Sequence, residues 1–245
     1  MELVSEIVHT YASFFDLSMW KEVLLNPVSW GFIATLILLE GILSADNAIV
    51  LAVMVKGLPK EEQKKALTYG LFGAYFFRFL FIGLGVFLIK LWWIKLLGAA
   101  YLLYLTINHF LKKKEEEQPI KKFNIPFIGA FWTTVICVEL MDIAFSIDSI
   151  LAAFAVSNSI WILLLGGMIG ILMMRTIAKG LITLIEKIPE LEQMAYILIG
   201  IMGVKMLMSV IGFELKPIIF FTLMLSIIGF TIVKHLLKSQ EVQKS

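Results

Sequence analysis

A chain of 245 residues that is 60% hydrophobic and only 16% charged departs from soluble domains, in which about a quarter of the residues carry charge. The net charge of +2 points to no particular partner. The single cysteine, Cys137, excludes an intrachain disulfide and a thiolate metal cluster. No HExxH, P-loop or GxSxG motif occurs, so an enzyme of those classes is not expected and ATP-driven pumping by this chain alone is excluded.

In chain order, residues 1–24 are expected to form an interfacial helix, with Val4, Ile7, Val8, Tyr11, Phe14 and Phe15 facing lipid. An ordered tail explains that segment equally well. It lacks a basic stretch and carries Glu2, Glu6 and Asp16, so no signal peptide is expected. Seven hydrophobic stretches follow, at about 28–55, 66–89, 92–111, 125–156, 160–186, 192–212 and 217–237, each long enough to cross a bilayer. The expected fold is all-α and polytopic: seven transmembrane helices, as two inverted three-helix repeats plus a C-terminal helix. The repeats occupy 25–111 and 125–212, a charged cytoplasmic linker 112–124, and the seventh helix with its tail 213–245. Lysines gather at 56–65, 112–122 and the tail, whereas the opposite side holds Lys21, Lys90, Lys95 and Lys216. Basic residues near span ends favour the cytoplasm. The expected topology is therefore N-terminus outside and C-terminus inside.

The repeat rests on residues. Glu40, Ser44, Asp46 and Asn47 recur in spacing as Asp142, Ser146, Asp148 and Ser149. Gly70, Gly73, Arg78 and Gly83 match Gly167, Gly170, Arg175 and Gly180, and Gly98 matches Gly200. Because each unit holds an odd number of spans, the second copy enters the bilayer upside down.

Glu40, Asp46, Glu139, Asp142 and Asp148 fall well inside expected spans. A central membrane carboxylate costs about 2.5–3.5 kcal/mol on insertion scales, so such residues mark cavities or pathways. Arg78 and Arg175 are the expected charge partners, with Lys205 a third. Five carboxylates less two arginines leave three negative charges, or two if Lys205 also reaches them, and a divalent cation nearly balances that remainder. Positions 40 and 46 point about 120° apart on a regular helix, so breaks near Ser44 and Ser146 are expected to expose carbonyl ligands. Carboxylate, amide and hydroxyl donors suit Mg, Ca and Mn over Zn, Cu and Ni.

LLEGILSADNAIVLA at 38–52 and VELMDIAFSIDSILAAFAVS at 138–157 resemble the two signature segments of the TerC family of integral membrane proteins, in particular its Bacillus-type manganese exporters. The resemblance runs from about residue 28 to 235. It implies Mn(II) export across the plasma membrane and supply of metal to extracytoplasmic enzymes. It also implies a metal set of Glu40, Asp46, Asn47, Glu139, Asp142, Asp148 and Ser149. Mn(II) is then the transported substrate, with no resident cofactor and proton counter-transport as the simplest coupling. The expected partners are the ion and the bilayer, membrane proteins or a second copy, and no nucleic acid. Calcium or amino-acid transport, or a membrane interaction or insertion factor, are the competing readings.

Overall fold

The computed structural model describes residues 11–12, 14–84, 92–112, 128–188, 190–213 and 217–244. The helices are α1 (Leu17–Leu25), α2 (Pro27–Leu43), α3 (Ala45–Lys56), α4 (Lys60–Leu84), α5 (Trp92–Lys112), α6 (Gly129–Val156), α7 (Ile160–Lys187), α8 (Glu190–Val210) and α9 (Pro217–Lys244). No strand occurs among the described residues; the protein is all-helical. Residues 1–10 of the expected interfacial segment, the linker over 113–124, and Lys90 and Lys216 lie outside the described residues.

Among the described residues, five helices are long and apolar enough to cross a membrane: α4, α5, α7, α8 and the Ile218–His235 part of α9. A sixth candidate joins α1 to α2 across an 86° bend. Five or six stands against the seven expected. The stretch 28–55 is split at Ser44 into helices of 17 and 12 residues, each short of the roughly 20 that a span needs. The stretch 125–156 falls on α6, whose apolar run is interrupted by Glu139, Asp142 and Asp148.

The bend between α1 and α2 has a local cause. Asn26 closes α1, its N–H donating to the Glu22 carbonyl, and its Oδ1 accepts from Val28 N at 2.9 Å to start α2. Pro27 holds the first helical position, where its missing N–H costs nothing. The segment before the bend is fastened to the bundle by rings. Phe14 packs on Phe79 with centroids 4.5 Å apart, and Trp20 lies 3.9 Å from Trp161. The Tyr11 hydroxyl donates to the Leu80 carbonyl at 2.8 Å.

The centre of the molecule is α3. Ala48, Val50, Ala52 and Val55 are each at most 1% exposed, and Ile49 and Leu51 are buried as well. A helix apolar on every side must be surrounded. Here α4, α6, α7 and α8 pack around it. The outer faces of the bundle stay apolar: Phe72, Phe76, Leu140 and Leu172 are uncovered by the chain, as lipid contact requires.

This packing generates a prediction. Ala52 is fully enclosed, and overfilling a packed site costs about 1–3 kcal/mol. Ala52→Leu should lower the melting temperature of detergent-purified protein, whereas Phe72→Leu on the outer face should leave it unchanged.

Candidate functional site

The acidic residues sort into two groups, and backbone geometry at Ser44 decides the first. The Ser44 N–H still donates to the Glu40 carbonyl at 2.8 Å, but its own φ of −110° and ψ of 6° end α2. Gly41, the poorest helix former short of proline, sits three residues earlier. The Ser44 hydroxyl donates to Glu40 Oε1 at 3.2 Å. Asp46 then falls in the first turn of α3, where free N–H groups favour a carboxylate. No break occurs at Ser146: α6 runs unbroken from Gly129 to Val156. The expected second break is therefore wrong. Ile143 stands where the first copy has Gly41, and the Ser149 hydroxyl donates to the Ser146 carbonyl from within the helix.

Glu40 and Asp142, both buried, and the half-buried Glu139 form a layer with the two arginines. Arg78 Nη2 lies 2.8 Å from Glu40 Oε2, and its Nη1 donates to Ser149 Oγ at 3.2 Å. Arg175 is ion-paired with Asp142 and stands 4.0 Å from Glu139 Oε1. Both guanidinium groups are almost fully covered by the chain. Their seats are glycines of the opposite half. Arg78, on α4, rests on Gly167 of α7, and Arg175, on α7, rests on Gly70 of α4. Glu40 similarly lies over Gly170, and Glu139 over Gly73. A Cβ at any of these four glycines would occupy the space of the charged side chain. Among the described residues, neither oxygen of Glu139 has a hydrogen-bond partner. It is the carboxylate least well held.

The second group lines a cavity of about 320 Å³ between α3, α6 and α8. Asp46 and Asn47 enter it from the first copy, Asp148 and Ser149 from the second, with Met202 and Met206 from α8. Asp46 is buried, whereas the Asp148 side chain is 61% exposed at the mouth. Each aspartate meets a lysine: Lys205 Nζ lies 3.1 Å from Asp46 Oδ2, and Lys95 is ion-paired with Asp148. Lys205 also sits over the Phe220 ring, 4.2 Å from its centroid.

Two expectations change. Lys95 reads in sequence as a span-end charge, yet it closes on Asp148; only its place three residues after Trp92, beside an apolar run, hinted that it could reach inward. With Lys95 and Lys205 both engaged, five carboxylates face four cations, so one excess negative charge remains rather than two or three. The seven-residue metal set also does not form one shell. Glu40, Asp142 and Glu139 are turned toward arginines and do not line this cavity. Among the described residues, no three His, Cys, Asp or Glu side chains are placed to hold an ion together.

Residues 25–244 match the family described as integral membrane protein TerC. The chain belongs to the TerC family. It is 58% identical over 245 residues to the Bacillus subtilis membrane protein YceF, covering 98% of this chain and 95% of that one. It is 42% identical over 203 residues to YkoY of the same organism, covering 75% of this chain and 61% of YkoY. The Arabidopsis thaliana thylakoid membrane protein TERC is 31% identical over 207 residues, which cover 73% of this chain and 54% of the plant protein. No solved structure matches. In this TerC protein the two recurring acidic segments lie on α2–α3 and on α6, and between them they contribute every carboxylate just described.

Removing one partner of a buried ion pair strands the other and costs about 3–5 kcal/mol. Arg78→Ala should therefore collapse the monodisperse peak of the detergent-extracted protein, and adding Glu40→Gln should recover much of it. Gly167→Leu, which displaces the same guanidinium, should behave like Arg78→Ala alone.

Proposed function

We propose that this TerC protein is a secondary transporter that exports Mn(II) across the plasma membrane, with its lysine-rich face in the cytoplasm. The observation that supports this reading is that Asp46 and Asp148, from the two recurring acidic segments, line one cavity. In this reading the segments belong to inverted repeats, and the ion is held between Asp46 and Asp148 with Asn47, Ser149 and the thioethers of Met202 and Met206. Oxygen donors with soft thioethers at the margin suit Mn(II) better than Mg(II).

The lysines are part of the mechanism. Without an ion, two unpaired carboxylates in a cavity of a membrane bundle would be costly. Lys205 and Lys95 occupy their lone pairs instead, as tethered cations, so the empty carrier can change conformation. An arriving divalent ion competes with the two ammonium groups for the same oxygens. The glycine-seated arginine layer lies outside this exchange and keeps the two halves in register while one rocks on the other.

Export opposes the membrane potential. At about 100 mV, inside negative, moving two charges outward costs roughly 4.6 kcal/mol. Counter-transported protons supply that work, and Glu139 is the carboxylate to carry them. Glu40 is fully engaged by Arg78 at 2.8 Å, whereas Glu139 stands 4.0 Å from its arginine. Metal delivered outward in this way is available to extracytoplasmic enzymes.

Inverted vesicles with an acidic interior should take up Mn(II) faster than vesicles without a gradient, because protons leave as the ion enters. Asp46→Asn and Asp148→Asn should each lower this flux at least about tenfold, equivalent to 1.4 kcal/mol. Glu139→Gln should abolish the response to the pH gradient while Mn(II) binding persists. Flux carried by both asparagine variants at wild-type rate, or competed away by Ca(II) more strongly than by excess Mn(II), would reject the assignment.

A further inference from the structure

A second cavity, of about 260 Å³, lies at the other end of the same helices. Val53 and Lys56 of α3, Thr133 and Cys137 of α6, and Glu192 and Tyr196 of α8 line it, with α5 adding Tyr101 and Asn108. Three helices thus serve both cavities from opposite ends. On α3 the walls are separated by the stretch from Asn47 to Val53, on α6 from Cys137 to Ala144, and on α8 from Tyr196 to Met202. Six or seven helical residues rise about 10 Å. The partition between the cavities is therefore about two helical turns thick.

That partition is apolar and closed. Val50, Val138, Leu198 and Ile199 lie within it, each at most 1% exposed, and Met141 is buried beside them. The charged groups within this stretch of α3, α6 and α8 are Glu139 and Asp142, and both turn to Arg175 rather than into either cavity. Hydroxyl, amide and carboxylate oxygens that line a cavity return beyond it, with Thr133, Asn108 and Glu192. At that far mouth, Lys56 Nζ and Glu192 Oε2 are 2.6 Å apart, tying the end of α3 to the start of α8. The arrangement repeats a theme of the first cavity, where lysines also sit on the carboxylates.

We infer that this second cavity is the entry vestibule, on the lysine-rich face, of the path whose other vestibule holds Asp46 and Asp148. Its ligand is a hydrated divalent cation, and the Lys56–Glu192 pair is the latch at its mouth. Mostly neutral oxygens and one lysine-balanced carboxylate suit transient passage of a hydrated ion, whereas a tight site needs several carboxylates. This inference rests on the transport reading above and adds a route and a second set of residues to it.

The protein carries its own reporter, because Cys137 is the only cysteine and lines the vestibule. A charged, membrane-impermeant thiosulfonate should modify Cys137 in inverted vesicles and spare it in right-side-out vesicles. In a Cys137→Ser background, Asn108→Cys should show the same sidedness and Ser209→Cys, lining the first cavity, the reverse. Lys56→Ala should speed modification of Cys137. Mn(II) at about four times its dissociation constant should slow it about fivefold, by mass action.

Modification of Cys137 and Asn108→Cys from the opposite face, equally from both, or only after denaturation overturns the vestibule. Correct sidedness with rates that Mn(II), Ca(II) and Mg(II) all leave unchanged overturns the cation as its ligand. Protection by Ca(II) but not by Mn(II) upholds the vestibule and instead removes manganese from the proposed function.

Discussion

Everything else in this structure depends on two buried arginines, each seated on a glycine of the other half. Arg78 reaches across to Gly167, and Arg175 reaches back to Gly70. A guanidinium inside a membrane bundle is tolerable only when its charge is met and its donors are used. Glu40 and Asp142 meet those charges from the same halves as the arginines they serve. Each half thus supplies a complete ion pair, and the other half supplies the hollow that receives it. Such a contact fixes how the halves align, because sliding one past the other would drive a charged group into a helix backbone.

This cross-lock leaves Asp46 and Asp148 for a different role. They stand beyond the arginines, on the same two segments, and line the cavity from both copies. Ser149 joins the two zones, because it accepts from Arg78 and also lines the cavity. The lysines that meet these aspartates come from α5 and α8, outside the two acidic segments. They sit on flexible four-carbon stems and can withdraw, whereas the arginines are walled in by glycine seats. A rigid charge layer beside a displaceable one is what the proposed transport reading requires, with a scaffold that holds while the binding groups exchange partners.

The two acidic segments show where sequence similarity misleads. Their spacing matches residue for residue, and equal breaks at Ser44 and Ser146 follow naturally from that match. The difference lies in one flanking residue: Gly41 weakens the helix in the first copy, and Ile143 sustains it in the second. The first segment becomes two helices and the second a single helix of 28 residues. Lys95 is illegible in the sequence for another reason. A lysine near a span end ordinarily extends toward water, and nothing within its own segment reveals that Asp148 waits across the bundle.

Local chemistry settled the membrane class, the all-helical fold, the duplicated acidic motif and the identity of the arginines as counter-charges. Those properties are written in hydropathy, in residue type and in spacing, and each acts within one segment. Tertiary packing alone decided which carboxylate meets which cation, because an ion pair between helices depends on their relative depth and rotation. It also separated the acids into a locked layer and a cavity, and it placed a second polar chamber about two turns away along the same three helices. Neither outcome follows from one strand of text, since a cavity is the space that several helices fail to fill together.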